Sequence, residues 1–227
     1  QKQERTIRRA MGILRHRIEE TAQERSKRAR APKFAPAGQS TQMIVGADAA
    51  RDVDILGATA LLYASYGLRR VYYSAFSPIP DASSTLPLIR PPLLREHRLY
   101  QADWLLRFYG FSADEIATGA KAGHLDLEID PKLAWALQHR GLFPLDVNRA
   151  RRDMLLRVPG FGTRTVDRIL AARRARALRY EDLVRMGAAL KKARPFITRP
   201  GWSPGALPDS ESLRARFAPP PEQLSLL

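Results

Sequence analysis

The stretch Val158-Pro159-Gly160-Phe161-Gly162 carries the clearest chemistry in the sequence. Pro159 cannot continue a helix that approaches it, and the two glycines permit backbone angles that a side chain would forbid. A second helix is predicted to begin at about Thr163, where the first amides lack intrahelical acceptors. Together with the positive end of the helix dipole, these amides favour an anion such as a phosphate group. The spacing therefore predicts an anion site at this turn.

Arginine is concentrated around the turn. Residues 149 to 176 contain nine arginines against two aspartates, which gives a local net charge of +7, within a chain whose net charge is +15. Arg164 and Arg168 lie in the predicted second helix and would add attraction for phosphate. A charge of this size indicates a polyanionic partner, either a nucleic acid or an anionic membrane surface. The alternative interpretation is a glycine-capped turn with a solvated basic face.

The composition excludes several kinds of site. The chain has 227 residues and no cysteine, which excludes disulfides and cysteine-ligated zinc or iron–sulfur clusters within it. Its four histidines are scattered without metal-ligand spacing, and no acid/base pair or nucleophile–histidine arrangement is evident, so we predict neither a catalytic residue nor a metal ligand. Apolar runs are too short for a membrane span or a secretory signal. We therefore expect a cytoplasmic, nucleoid-associated protein without a membrane partner.

Residues 1 to 90 are predicted to hold strand, helix and strand after a basic helix. The helix covers residues 1 to 30, the strands cover 41 to 47 and 69 to 76, and the helix between them runs from 50 to a cap at Gly67. This order is typical of a parallel βαβ unit with a right-handed crossover. Because a parallel sheet requires cover on both faces, the unit needs either a larger sheet or another chain.

The remainder is predicted to be helical up to about residue 197. We divide it into a helical connector (91–145), a hairpin region (146–197) and a mobile, Pro-rich tail (198–227). In the connector, a long helix over 91–110 offers Trp104 for burial, and Ser112 with Glu115 has capping-box spacing. Asp146 is predicted to cap the next helix, and a second, degenerate hairpin is predicted near Gly187.

The Gly160 turn resembles the helix-hairpin-helix motif of DNA repair and recombination proteins. Its signature is an apolar residue, proline, glycine, an apolar residue and glycine, followed by a helix. The resemblance implies that the DNA backbone is bound without reading of sequence. The residues implied in this contact are Val158, Pro159, Gly160, Phe161, Gly162, Thr163, Arg164 and Arg168.

The front half carries a wider resemblance. The stretches GQSTQMIVGA, YYSAFSPIP and REHRLYQADWLLRFYGF resemble the C-terminal half of radical S-adenosylmethionine proteins of a DNA modification and repair family. The resemblance implies a partial parallel β/α barrel followed by a helix-hairpin-helix domain, with S-adenosylmethionine and a 4Fe–4S cluster as cofactors. The positions implied around the cofactor are Gln39, Ser40, Gln42, Gly46, Ser74 and Phe76, although such residues also commonly satisfy backbone groups.

The chain departs from that family in two respects. It lacks the cluster cysteines, and its βα part of about 90 residues is far shorter than the ~250 residues of a whole barrel. We therefore expect the C-terminal portion of a longer enzyme, with the N-terminal part of the barrel as a partner and DNA as substrate. A cysteine-free relative and a non-enzymatic DNA-binding adaptor that retains half a barrel are the alternatives.

The last five residues, QLSLL, resemble the short peptide by which bacterial replication and repair proteins dock on the sliding clamp. In such a peptide a glutamine hydrogen-bonds the clamp and apolar side chains anchor it. Gln223, Leu224, Leu226 and Leu227 fit these roles, except that the usual final anchor is aromatic. The alternative is a frayed, weakly apolar terminus.

Overall fold

The structure is a computed structural model that describes residues 4–27, 33–78, 86–205 and 211–218. Within these ranges the chain is mixed α/β, with many helices and a few short, parallel strands. It divides into two compact units, residues 1–100 and 101–227. The mixed α/β class agrees with the prediction, and each unit is described separately below.

The first unit has the predicted strand–helix–strand order. Its elements are α1 (Glu4–Lys27), β1 (Ser40–Val45), α2 (Asp52–Tyr66) and β2 (Arg70–Ala75). The two strands are parallel, in a register that pairs Ser40 with Arg70 and Val45 with Ala75. Gly67 caps α2 in the left-handed conformation (φ 61°) and donates its N–H to the carbonyl of Tyr63, as predicted.

The two faces of this small sheet differ. Val45, Val71 and Tyr73 are buried on one face. The helix α2 packs there, and the hydroxyl of its Thr59 lies 3.0 Å from the Tyr73 hydroxyl. Side chains of the opposite face, including Ile44 and Tyr72, are exposed to about half of their surface (48% and 43%).

The two edges of the sheet also differ. Along the outer edge of β2, side chains rather than a further strand accept the backbone N–H groups. The pairs are Val71 with the Tyr63 hydroxyl (3.1 Å), Tyr73 with the Tyr100 hydroxyl (3.0 Å) and Ala75 with the Glu96 carboxylate (2.8 Å). Within the described ranges, no strand pairs with the outer edge of β1. The sheet is therefore closed at β2 and open at β1.

The second unit is mostly helical. The helix α3 (Leu93–Phe108) contains the boundary between the units and is followed by α4 (Ala113–Ala117), α5 (Pro131–Gln138), β3 (Leu145–Asp146), α6 (Arg152–Arg157), α7 (Thr163–Ala172), α8 (Tyr180–Arg185), α9 (Leu190–Ala193) and β4 (Ile197–Thr198). Short 3-10 helices cover Arg140–Leu142, Arg194–Phe196 and Glu211–Leu213. Strands β3 and β4 form a two-residue parallel pair.

Local signals set several helix starts, but one prediction was wrong. Ser112 and Glu115 form the expected capping box. Asp130 caps α5, whose first residue is Pro131. Asp146, by contrast, does not cap a helix: it lies in β3, where its carboxylate accepts the N–H of Asn148. The helix begins six residues later, at Arg152, because pairing with β4 takes the chain at Asp146 into extended structure.

Two further predictions about the second unit differ from the structure. Trp104, offered for burial, remains 52% exposed. Residues 211–218 belong to the predicted mobile tail, yet Leu213 is fully buried there. Its neighbour Arg214 binds Asp126 at 2.7 Å and Glu128 at 2.6 Å. Sequence-distant carboxylates thus hold a segment that composition alone assigned to the tail.

In the part of the chain that the structure describes, every helix is too short or too polar to cross a bilayer.

Candidate nucleic-acid interface

The Gly160 turn has the predicted backbone. The helix α6 ends at Arg157, Gly160 has a left-handed φ of 83°, and α7 begins at Thr163 with Gly162 as its N-cap. The apolar residues of the turn face inward: Val158 is fully buried, Phe161 is 1% exposed and Pro159 is buried. Of the eight residues predicted to contact DNA, these three therefore support the turn, while the glycines remain partly accessible.

Gly160 is required for packing as well as for its backbone angle. A Cβ atom at this position would lie 2.6 Å from the carbonyl oxygen of Ala189. The Ala189 N–H in turn donates to the Gly160 carbonyl at 3.1 Å. A side chain at residue 160 would therefore separate this turn from the segment around Ala189.

That neighbouring segment is the turn around Gly187, where the sequence predicted a second hairpin. The helix α8 ends at Arg185, Gly187 has a φ of 75°, and α9 begins at Leu190. In both turns the helix begins three residues after the left-handed glycine. A guanidinium N–H of Arg168 donates to the Met186 carbonyl at 3.1 Å, next to Gly187. Arg168, predicted to contact DNA, thus also ties the two hairpins together.

The amides of the Gly160 turn are partly occupied. Phe161 donates its N–H to the Val158 carbonyl, and Thr163 donates its N–H to the Tyr109 hydroxyl. Within the described residues, the N–H groups of Gly160, Gly162 and Arg164 have no backbone acceptor outside the helices. Of the predicted run from Gly160 to Thr163, the amides of Gly160 and Gly162 therefore remain available, together with that of Arg164.

Two side chains that sequence reasoning missed support the turn from behind. Lys132 is 8% exposed, and its Nζ donates to the Phe161 carbonyl at 2.6 Å. The same Nζ lies 4.7 Å from the centre of the Tyr109 ring. The only sequence signal was a lysine at the start of an otherwise apolar helix, PKLAWALQ.

The environment of Lys132 changes its acidity. Burial lowers its pKa to about 7; the charge of Arg157 acts in the same direction and the carboxylate of Asp130 opposes it. Burial also raises the pKa of Tyr109, against the hydrogen bond from the Thr163 amide. Burial thus disfavours the charged form of the Lys132 amine beneath the turn.

The nine arginines of residues 149–176 fall into two groups. Four make contacts with other segments: Arg157 binds Glu115 at 2.5 Å, Arg168 donates to the Met186 carbonyl, Arg173 donates to the carbonyls of Val147 and Ala150, and Arg176 binds Asp182 at 2.6 Å. The other five have exposed side chains: Arg164, Arg174, and three that form surface ion pairs with aspartates, namely Arg149, Arg151 and Arg152. The basic surface is thus narrower than the count of arginines predicted, with Arg164 beside the turn.

The six positions implied around a cofactor lie in the first unit and differ in burial and in their hydrogen-bond partners. Ser40, Gln42 and Ser74 share the exposed face of the sheet, where the Gln42 amide donates to the Ser74 hydroxyl at 2.6 Å. Gln39 is buried and its amide donates to the carbonyls of Met11 and Tyr66, which is a structural role. Phe76 is also buried.

Gly46 follows β1 with a φ of 79°, and a Cβ atom there would lie 2.7 Å from the Pro91 ring. Its conformation and its packing against Pro91 both require glycine. The structure thus assigns Gly46 a turn-forming role and brings three of the six implied positions together.

The chain contains no cysteine, so it has no thiolate ligands for a 4Fe–4S cluster. The described residues also hold no group of three or more His, Asp or Glu side chains arranged for a metal ion. The clamp-binding positions Gln223, Leu224, Leu226 and Leu227 lie outside the described residues.

Comparisons of the chain with models of protein families, with curated proteins and with solved structures find no match.

Proposed function

We propose that the unit formed by residues 101–227 binds the sugar-phosphate backbone of DNA through the Gly160 hairpin. One observation carries the proposal: the apolar residues of the turn are buried, while two N-terminal amides of α7 and the exposed Arg164 lie at the same end of the helix. Amides at a helix N-terminus and a neighbouring guanidinium are typical ligands of a phosphate. The net charge of +15 favours a polyanion over a small phosphate ester.

This mode of binding would be insensitive to base sequence. Contacts to phosphate fix the position of a protein on DNA but carry no sequence information. Two hairpins, joined through Gly160 and Ala189, would follow one stretch of backbone. We therefore infer binding to unrelated duplexes with similar affinity and with strong dependence on salt.

The test is fluorescence anisotropy with two unrelated 20-bp duplexes across a salt series, using the full chain. Arg164→Ala is expected to weaken binding to both duplexes about equally and to reduce the slope of log K against log salt by about one. Arg9→Ala is the matched control, because it removes the same charge from an exposed position on α1. The basic helix α1 is the alternative DNA contact.

Two outcomes would contradict the proposal. One is wild-type affinity in the Arg164→Ala variant. The other is an equal loss in the Arg9→Ala variant, which would mean that affinity follows total charge or a contact through α1 rather than the hairpin.

A second proposal concerns the first unit and the enzyme to which it would belong. We infer that the chain is the C-terminal portion of a radical S-adenosylmethionine enzyme that modifies or repairs DNA, and that the N-terminal part of its barrel pairs with β1. Two observations support this: the open edge of β1, and the exposed face of the sheet, which holds Ser40, Gln42 and Ser74 beside Ile44 and Tyr72. In a closed barrel that face would line the lumen.

The cofactors fit this chain unequally. The iron–sulfur cluster does not fit it, because no cysteine is present, so its ligands would belong to the N-terminal part. S-adenosylmethionine, which would supply a 5′-deoxyadenosyl radical in such an enzyme, would have Ser40, Gln42 and Ser74 as candidate polar contacts. The test is the coding sequence upstream of Gln1: a CxxxCxxC triad supports the enzyme, and its absence favours a non-enzymatic DNA-binding adaptor.

A further partner can be tested separately. We propose that Gln223, Leu224, Leu226 and Leu227 dock on the bacterial sliding clamp, which would keep the protein near the nucleoid. Removing residues 223–227 should abolish clamp binding in a pull-down with purified clamp, and unchanged binding would refute it.

A further inference from the structure

A cleft of about 330 Å³ lies directly beside the Gly160 turn. Its walls include Trp104, Tyr109 and Lys132, together with the backbone of residues 160–162. The turn that we propose as the phosphate site is therefore one wall of the cleft. A nucleotide whose phosphate lies on the turn would have its base within reach of the opposite wall.

That opposite wall is aromatic and accessible. Trp104 is 52% exposed, and the next turn of α3 carries Phe108, which lies outside the lining of the cleft and is 46% exposed. Their ring centres are 4.6 Å apart, and the Arg107 guanidinium lies 4.7 Å from the centre of the Phe108 ring. Large aromatic side chains left in solvent are typical of a stacking platform for nucleobases.

Hydrogen bonds connect two residues that line the cleft to the Gly160 turn. The Tyr109 hydroxyl accepts the Thr163 amide, and the buried Lys132 holds the Phe161 carbonyl. Both contacts join the cleft to the turn, so the two features keep a common geometry. The volume lies at the lower end of the range for small-ligand sites, which suits a single base.

We propose that this cleft receives one base that has left the DNA stack, with Trp104 as the stacking residue. The proposal rests on the proposed function, since it needs the backbone to lie on the Gly160 turn. It narrows the substrate class: the protein would prefer DNA that already has an unpaired base, because extrusion of a paired base costs a few kcal/mol. Bulged, mismatched or single-stranded sites meet this condition.

The experiment uses two duplexes of the same sequence, one fully paired and one with a single bulged 2-aminopurine. Wild-type protein should bind the bulged duplex about 5- to 150-fold more tightly, in line with the ~1–3 kcal/mol that one stacked base contributes. Contact with Trp104 should also quench the 2-aminopurine fluorescence. Trp104→Ala should reduce the affinity for the bulged duplex to that for the paired one.

Two further variants separate stacking from damage to the fold. Trp104→Phe should retain most of the preference, because a smaller ring still stacks. Leu142→Ala, which truncates a similarly exposed apolar side chain outside the cleft, should retain all of it. Circular dichroism of each variant confirms that the helices are intact.

Equal affinity of the wild-type protein for the two duplexes would overturn the inference, as would an unchanged preference in Trp104→Ala. These failures differ from a failure of the proposed function, which is measured on the paired duplex with Arg164→Ala. A protein that binds paired DNA through Arg164 but ignores the bulge refutes the cleft alone.

Discussion

The two glycine turns of the second unit, at Gly160 and Gly187, have similar backbones and different surroundings. In each, a left-handed glycine precedes a helix by three residues: Gly160 before α7 and Gly187 before α9. The first turn is anchored by the buried Phe161, and α7 continues for ten residues. The second turn has the small Ala188 at the equivalent position, and α9 has four residues.

The surroundings differ more than the turns themselves. Lys132 and Tyr109 hold the first turn from behind through its carbonyl and amide groups. The second turn is held mainly from the first, through Ala189 to Gly160 and Arg168 to Met186. A glycine and a helix start are thus sufficient for the geometry, whereas a rigid binding site needs support from other segments.

The largest expected difference between the turns is in stability. Gly160→Ala should lower the free energy of unfolding by about 3 kcal/mol, since it combines an unfavourable φ with a close contact to the Ala189 carbonyl. Gly187→Ala should cost only about 1 kcal/mol, because its nearest neighbour is the flexible end of Arg168 at 3.8 Å. Urea unfolding followed by tryptophan fluorescence reports on this unit, which contains Trp104, Trp135 and Trp202. Equal losses of unfolding free energy in the two variants would show that the two turns do not differ in their packing.

Lys132 should make stability depend on pH. The native pKa is about 7 and the usual value is 10.5, so between these values the unfolded chain binds more protons and stability rises with pH. From pH 7 to pH 9 the gain from this group is about 2 kcal/mol. Lys132→Met should abolish this gain, measured by urea unfolding at both pH values. A variant with the wild-type slope would show that the amine is charged in the native protein.

The two turns should contribute unequally to DNA affinity. Arg164 and Lys191 are both exposed and both occupy the second position of their helices. Arg164→Ala should weaken duplex binding by about 1 kcal/mol, or roughly fivefold, and Lys191→Ala by less, because only the first turn is supported from behind. Anisotropy titrations at one salt concentration compare them. A larger loss with Lys191→Ala would reverse the assignment of the two turns.

Arg168 offers the smallest effect. Its hydrogen bond to the Met186 carbonyl is exposed, so Arg168→Ala should reduce stability by only about 0.5 kcal/mol. We expect its effect on DNA affinity to be smaller than that of Arg164→Ala, since its guanidinium already has an internal acceptor. Matched unfolding and anisotropy measurements test both statements, and a binding loss equal to that of Arg164→Ala would place Arg168 in the interface.

The sequence predicted the features that depend on neighbouring residues. Pro159 ends α6 and Gly160 adopts a positive φ through steric limits that act within one or two residues. The Ser112 cap and the Gly67 cap follow from hydrogen bonds three or four residues long. The βαβ order was equally accessible, since apolar periodicity and turn residues mark each element.

Contacts between residues that are distant in the sequence could not be predicted from the spacing of residue types. Only the fold brings Lys132 under Phe161, 29 residues away, and divides the arginines into those bound internally and those exposed. The same is true of Trp104, whose exposure depends on where the hairpins lie against α3. The conformation of the turn is therefore determined by neighbouring residues in the sequence. The cleft, its charged residues and its exposed aromatic side chain depend on tertiary packing, because packing decides which side chains are removed from water.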